Sequence, residues 1–485
     1  MIRSRSNPAP LYVDLDGTLI KTDVLFESLA RLLKQKPWLL LMVPVWCLQG
    51  RAALKRKIAQ HISIDVASLP YNLSLLEWLR HEKAANRRLV LATAAEESLA
   101  RQIADYIGLF DGVLASDGLT NLKGKQKLRA LRQEAGGAFA YAGNSRSDLE
   151  IWRQCESAIA VGASTSVLKR VRELVKNVAI FDGRFKDPKQ YLAALRVHQW
   201  AKNVLIYIPL ITAHQLLNPI LILKSTFCVL LFSLCCSSQY VLNDLMDLEA
   251  DRHHPKKRAR PFASGDLPLE TGFAMAAGLL VISVVGALLL SKWLAMLLIG
   301  YFALSFCYSL HFKRIVLLDA FVLSGLYMTR IIAGHLVTGV SFSVWLLSFA
   351  FFLFLSLAFG KRWVELDNVQ RSNRVMVGRG YEVGDLTQIN LFGVCSAFLS
   401  VVIFLLYLQS DKVKEMYKQP ELLWLLSPVF LYWISRIWIL SSRGKINEDP
   451  VLFVLKDRVT YAVGMVSGLI MFAATADWSG MLFPH

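Results

Sequence analysis

Three aspartates spaced three and four residues apart, Asp244, Asp247 and Asp251, are followed at once by Lys256, Lys257, Arg258 and Arg260. On a helix that spacing puts the three carboxylates on one face. Like charges so placed beside an apolar run repel one another and are costly at a membrane boundary. A divalent cation removes that cost. Mg²⁺ takes hard oxygen ligands and commonly bridges a carboxylate to a substrate phosphate, and arginine offers phosphate a bidentate fork. Acids followed by bases are the chemistry of a metal-bound pyrophosphate leaving group. A solvated charged loop would explain the bases but not the regular acid spacing.

A second constellation lies near the start of the chain. VDLDGTL begins at Val13, at the end of a predicted strand. Asp14 and Asp16 point the same way from an extended chain, because strand side chains alternate. Gly17 and Thr18 make the turn. One carboxylate as nucleophile with a second beside it suits phosphoryl transfer through an aspartyl-phosphate.

The elements that must position these groups differ between the two regions. Before about Lys189 the pattern is α/β: LYVDL (11–15), RRLVLAT (87–93) and AFAYAG (138–143) read as buried strands separated by helices, as in a parallel sheet. PWLLLMVPVWCLQG (37–50) is too short to span a bilayer and contains Pro44. It is either a buried helix of a cap or an element lying in the membrane interface.

After Lys189, apolar runs of spanning length follow one another. Nine are expected, at about 203–219, 220–242, 272–290, 293–310, 316–338, 343–362, 388–409, 421–440 and 459–477. Placing residue 189 in the cytoplasm puts 16 Lys and Arg in the loops on that side and only 4 opposite, the asymmetry of a multi-pass inner-membrane protein with a cytoplasmic N-terminal domain. The first ten residues lack the apolar core of a secretory signal, and nine spans would leave His485 outside. The net charge of +17 with 54% hydrophobic residues points to anionic lipid or phosphorylated substrates, not to nucleic acid. The seven cysteines form neither a metal pattern nor a disulfide framework.

The stretch NDxxDxxxD…HPxKxxRPxxxG, from Asn243 to Gly265, resembles the first aspartate-rich motif of UbiA-type prenyltransferases. Within that superfamily the likeness is to the branch using 5-phosphoribosyl-1-pyrophosphate, the decaprenyl-phosphate phosphoribosyltransferases. It is carried by LRVHQWAKNVLIYIPL (195–210), YSLHFKRIVLLDAF (308–321), RIIAGHLVTGV (330–340) and LAFGKRWVEL (357–366). Where aromatic prenyltransferases have a second DxxxD pair, only Asp319 follows YSLHFKR. The resemblance implies that Asp244, Asp247 and Asp251 hold Mg²⁺, and that a polyprenyl phosphate attacks phosphoribosyl pyrophosphate. It implies phosphate contacts for Lys257 and Arg260, with Asn243 beside them as a substrate-binding candidate. Place in the expected spans adds Lys202 at the start of the first, Arg330 in mid-span, Lys313, and Lys361 and Arg362 near a cytoplasmic end, where they either bind substrate or snorkel to the interface. Arg330, mid-span, either serves function or pairs with an acid such as Asp319.

The DxDGT signature resembles haloacid-dehalogenase-like phosphatases over about residues 10–185. By that resemblance Asp14 is the nucleophile, Asp16 the general acid/base, Thr93 a phosphate-binding strand-end residue, and Lys127 (or Lys125) the lysine steadying the phosphate. Asp14, Asp16 through its carbonyl, Asn144 and Asp148 would surround Mg²⁺; Asn144 stands where relatives commonly carry Asp. The expected architecture is therefore an α/β Rossmann-like haloacid-dehalogenase domain over 1–188, with a helical cap at about 21–85. An all-α UbiA-like transmembrane bundle of about nine helices follows over 189–485. Fusion implies a two-step enzyme, one site making a phosphorylated lipid-linked sugar and the other dephosphorylating it. A homo-oligomer is possible.

Overall fold

The computed structural model describes residues 8–117, 120–181, 187–372, 379–446, 453–454 and 456–475. It contains two compact bodies: residues 1–195 with 240–277, and residues 196–239 with 278–485.

In the first body six short strands form one parallel sheet: β1 (Leu11–Val13), β2 (Leu89–Glu96), β3 (Gly112–Ser116), β4 (Ala140–Gly143), β5 (Ser157–Val161) and β6 (Asn177–Phe181), in the order β3-β2-β1-β4-β5-β6. Strands buried on both faces read as continuous apolar runs, as LYV and AYAG do. Between β1 and β2 lie helices α1 (Val24–Gln35), α2 (Val43–Leu48), α3 (Arg51–Ala59) and α4 (Leu73–Ala84). α1, α2 and α3 build a small core of their own around Leu32, Trp46, Leu54 and Ile58. α4 instead packs Leu75, Leu76 and Leu79 into the sheet's core beside Leu11 and Leu89. Helices α5 (Glu97–Ile107), α6 (Lys125–Ala135), α7 (Leu149–Trp152) and α8 (Thr165–Leu174) complete the layers, and α9 (Pro188–Leu195) follows.

Beyond it come α10 (Ile208–Thr212), α11 (Pro219–Met246), α12 (Leu248–His253), α13 (Leu269–Leu290), α14 (Lys292–Leu310), α15 (Leu318–Thr338), α16 (Val344–Ser372), α17 (Leu386–Leu408), α18 (Asp411–Met416), α19 (Leu426–Ser442) and α20 (Arg458–Thr475). Among the described residues eight helices are long and apolar enough to cross a membrane, not nine. The expected span at 203–219 is replaced by a 3₁₀ helix, Val197–Tyr207, and the short α10. Pro209 lacks the N–H an interior helical position needs, and His214 stands at φ +54°, which ends the helix. The carbonyl of Ile206 approaches α15 closely: a Cβ on Gly334 would lie 2.2 Å from that oxygen. α11 and α16 outrun their apolar stretches. α11 carries Asn243 and Asp244 in its last turn, and α16 continues through Lys361, Arg362 and Glu365, its polar end supported by the i,i+4 pair Asp367–Arg371 at 2.9 Å.

Two candidate active sites

Asp14 leaves the sheet at the carboxyl end of β1, between β2 and β4 where the strand order reverses, the place where open parallel sheets bind ligands. Gly17 turns the chain at φ +72°, and a Cβ there would sit 2.0 Å from Asn144 Nδ2. Lys127, on the first turn of α6, donates to Asp14 Oδ1 at 2.8 Å and to the Tyr141 hydroxyl at 3.1 Å. Tyr141 in turn donates to Asp148 Oδ1 at 3.0 Å. The other oxygen of Asp148 accepts from the Asn144 and Ser145 N–H groups and from the Ser145 hydroxyl. Asp16 accepts the Val24 N–H at 2.8 Å, which ties it to the start of α1. Asp14, Asp16, Lys127, Asn144 and Asp148 line one cavity of about 550 Å³, with Arg51 and Lys55 reaching in from α3.

Burial acts on both aspartates in the same direction. Burial raises Asp14 above the usual carboxylate range, opposed chiefly by Lys127. Burial, then the charge of Asp23, pushes Asp16 up to about 8 against the Val24 hydrogen bond. A carboxyl protonated at neutral pH is equipped to act as an acid. Thr93 is fully buried in β2, with its hydroxyl oxygen accepting the Ala95 N–H at 2.9 Å. Lys125 is exposed. Two further residues join the site that are not among its sequence candidates: Tyr141, which links Lys127 to Asp148, and Lys55, whose ammonium donates to the Ala94 carbonyl at 2.6 Å. The two-residue offset of Tyr141 from Gly143 in β4 is a signal that could have found it; Lys55 sits in an insertion that carries none.

Among the described residues no three His, Cys, Asp or Glu side chains form a ready-made metal cage. Mg²⁺ seldom needs one, since it is usually held by one or two carboxylates plus substrate phosphate. Two buried carboxylates, Asp14 on Lys127 and Asp148 linked to that lysine through Tyr141, line the same cavity as Asn144. That donor set fits the ion.

The acidic motif is also in the first body. Asp244 lies in the last turn of α11, Asp247 at the break before α12, and Asp251 within α12. Arg260 bridges Asp244 at 3.1 Å and Asp251 at 2.6 Å, so these two carboxylates face the same way. Burial raises Asp251 against the pull of Arg260. Asp247 accepts from Lys34 of α1 at 3.0 Å. The segment is docked by Arg252, whose guanidinium forms a buried bidentate pair with Glu27 (2.5 and 3.2 Å), and by Arg31 with Glu249. Beneath these pairs Phe26 and Ala30 meet Leu245, Leu248 and Phe262. Lys257 is exposed and Asn243 half-buried. The helix break at Asp247 takes that residue to Lys34, so the three acids do not share one helical face as their spacing predicts, and among the described residues they form no ready-made metal cage. Asp244 and Asp251, joined by an arginine that a diphosphate could take over, still fit Mg²⁺ bound with substrate phosphate.

The second body buries two arginines. Arg330 donates to Asn203 Oδ1 (2.9 Å) and the Leu326 carbonyl (2.6 Å), and its guanidinium lies 5.0–5.5 Å from the ring centres of Phe232, Tyr301 and Tyr327. Lys202, also buried, stands over the Tyr327 ring at 5.6 Å. The acid expected beside Arg330 is engaged elsewhere: Asp319 contacts Arg362 at 2.7 Å and accepts from Tyr381. Asp319 and Arg330 are eleven residues apart on one helix, about 16 Å at 1.5 Å per residue. Arg362 also pairs with Glu365 and donates to Tyr308 at 3.2 Å. Lys361 and Lys313 are half-buried.

Residues 205–455 match the UbiA prenyltransferase family. The chain belongs to that family. Residues 11–153 of this UbiA-family protein match the haloacid dehalogenase-like hydrolases, in keeping with the parallel-sheet domain. An uncharacterized protein, y4nM, of Sinorhizobium fredii is 38% identical over 459 residues, covering 94% of this chain and 89% of its own. The nodulation protein NoeC of Azorhizobium caulinodans is 34% identical over 58% of this chain and 92% of its own. A decaprenyl-phosphate phosphoribosyltransferase of Corynebacterium glutamicum is 36% identical over 39% of this chain and 59% of its own. Among solved structures, a UbiA homolog from Archaeoglobus fulgidus bound to GPP and Mg²⁺ aligns with a TM-score of 0.44 at 15% identity, over 59% of this chain and 99% of its own.

Proposed function

We propose that this UbiA-family protein transfers 5-phosphoribose from phosphoribosyl pyrophosphate to a polyprenyl phosphate, and that its N-terminal domain then removes the 5-phosphate. The observation that carries the reading is the Asp244–Asp247–Asp251 cluster compensated by Arg260 and Lys34. The relatives named for phosphoribosyl transfer support it, as does the engagement of Asp319 by Arg362 where a second free acid cluster would serve a prenyl diphosphate.

In the first step a phosphate oxygen of the lipid attacks C1 of the ribose, the C1–O bond breaks and pyrophosphate leaves. Mg²⁺ bound to the motif would neutralise charge on the departing diphosphate. Asp244 and Asp247, with Asp251, would hold that ion, and Arg260 would turn from the carboxylates to phosphate oxygens. Lys202 and Arg330 are proposed partners of substrate phosphates. Water-poor surroundings strengthen each of these contacts.

In the second step an Asp14 oxygen attacks the 5-phosphate and the bond from phosphorus to the ribose oxygen breaks, while protonated Asp16 supplies the leaving oxygen with its proton. Water then hydrolyses the aspartyl-phosphate, with Asp16 taking a proton back. Lys127 holds the phosphate oxygens against Asp14. The product, polyprenyl-phosphoryl ribose, is a sugar donor suited to envelope glycosylation. The lysine and arginine distribution of the loops supports an inner-membrane location with both sites cytoplasmic.

The test is extraction of labelled lipid after incubating membranes with ribose-labelled phosphoribosyl pyrophosphate and polyprenyl phosphate. Label in the lipid that requires both substrates supports the reading. No label, with activity instead on a prenyl diphosphate and an aromatic acceptor, overturns it.

A further inference from the structure

The segment Pro37–Leu48 is apolar on two faces. On the inner face Leu39, Leu40, Val43 and Trp46 pack against Leu32, Leu54 and Ile58. On the outer face Trp38, Leu41, Met42, Val45 and Leu48 are 63, 81, 44, 46 and 89% exposed. Their spacing of three, one, three and three residues is that of one helical face. A water-soluble cap needs only the inner set. A continuous apolar ridge of this kind marks a contact surface.

Its charge surroundings identify the partner. From Ser28 to Ile64 there are seven basic residues (Arg31, Lys34, Lys36, Arg51, Lys55, Arg56 and Lys57) and no acidic one. Arg31 and Lys34 pair with Glu249 and Asp247, and Lys55 faces the Asp14 cavity, which leaves Lys36, Arg51, Arg56 and Lys57 beside the ridge. An apolar face with these cations fits a bilayer surface bearing anionic headgroups. The geometry agrees. Lys34, three residues before the ridge, is 3.0 Å from Asp247, which is one residue past the end of α11, a helix of spanning length. The ridge therefore starts close to the polar end of that helix. Twelve residues cannot cross the membrane, so the ridge lies along it. Cys47, Arg51 and Leu54, at and just beyond its far end, line the Asp14 cavity.

We propose that Pro37–Leu48 is a membrane-inserted lip of the Asp14 cavity. Its outer face lies at the boundary of headgroups and acyl chains in an anionic leaflet, and it leads phosphates carried on lipids to Asp14. The delivery half rests on the proposed phosphatase activity of the Asp14 site; the insertion half does not.

Insertion is measured with nitroxides at Leu41→Cys and Leu48→Cys. The full chain, with Cys47, Cys307 and Cys395 changed to serine, is placed in phosphatidylcholine–phosphatidylglycerol nanodiscs, and Arg80→Cys on the exposed side of α4 serves as the control. At 41 and 48 collisions with oxygen should exceed those with an aqueous nickel chelate, and the reverse should hold at 80. Equal accessibility at all three positions overturns insertion. Delivery is measured with Leu41→Gln/Leu48→Gln. Turnover of p-nitrophenyl phosphate should be unchanged, while turnover of polyprenyl-phosphoryl 5-phosphoribose in the same discs falls about tenfold as membrane contact is lost. Parallel loss on both substrates overturns delivery. A wild type inactive on both removes the phosphatase reading and delivery together, and leaves insertion to the nitroxide result.

Discussion

Replacing Glu27 with glutamine should loosen the acidic motif from α1. Glu27 and Arg252 are 5 and 8% exposed at their side chains, and two hydrogen bonds join them. Without the carboxylate charge, the Arg252 guanidinium keeps the Ala263 carbonyl at 3.0 Å and whatever the glutamine oxygen offers. Breaking one side of a buried ion pair costs about 3–5 kcal/mol. Glutamine retains one acceptor, which puts the cost near the lower end, about 3 kcal/mol, or roughly a hundredfold in a local opening equilibrium. Hydrogen–deuterium exchange of peptides covering Leu248–His253 reads this opening directly, because exchange reports the local free energy of each unit. The companion Glu27→Leu/Arg252→Met replaces the pair with apolar groups and should recover most of the lost protection, since isosteric apolar replacement of a buried pair is often neutral. Unchanged protection in Glu27→Gln, or a double variant as open as the single one, would refute the view that this pair docks the motif.

With Asp16 pushed up to about 8, the acid is protonated at neutral pH and is lost as pH rises past that value. Dephosphorylation of an alkyl phosphate, which needs leaving-group protonation, should fall above about pH 8, whereas p-nitrophenyl phosphate should stay level; identical limbs would exclude Asp16 as the acid. Lys34→Met removes a cation competing for Asp247, so Mn²⁺ titrated calorimetrically into the full chain carrying Asp148→Asn should bind about threefold tighter, in line with a partly exposed pair. Loss of binding in Asp244→Asn would confirm that the motif is the site titrated. Arg330→Lys cannot reproduce contacts to Asn203, Leu326 and three rings at once. Transfer should drop more than about tenfold with dephosphorylation retained in the same preparation, and full transfer in Arg330→Lys would make Arg330 a structural residue only.

The parallel sheet, the fold of the spans and the neighbourhood of Asp14 were legible because each is written locally. LYVDLDGT places a buried strand, a turn and two carboxylates within eight residues, and the start of a helix narrows the phosphate lysine to Lys127 or Lys125, which only the contact with Asp14 decides. What stayed hidden depends on long-range pairing. The 203–219 run is apolar enough to span, yet Pro209 and His214 stop the helix and the close approach at Gly334 fixes it against α15. Hydrophobicity is blind to both. The choice of Arg362 over Arg330 by Asp319 is likewise invisible in spacing, since α16 supplies the partner. Nor does any motif announce that Glu27 and Lys34, in an insertion of the phosphatase-like fold, reach residues more than 200 positions away.

The most direct measurement uses phosphoribosyl pyrophosphate labelled separately in the ribose and in its 5-phosphate, offered with polyprenyl phosphate to wild type, Asp14→Asn and Asp244→Asn. A two-step enzyme leaves ribose label without 5-phosphate label in the wild-type lipid, both labels in equal amount for Asp14→Asn, and neither for Asp244→Asn. Lipid from wild type and Asp14→Asn carrying the same ratio of labels would contradict the coupling of the two sites, and unlabelled lipid in all three would contradict the transfer itself.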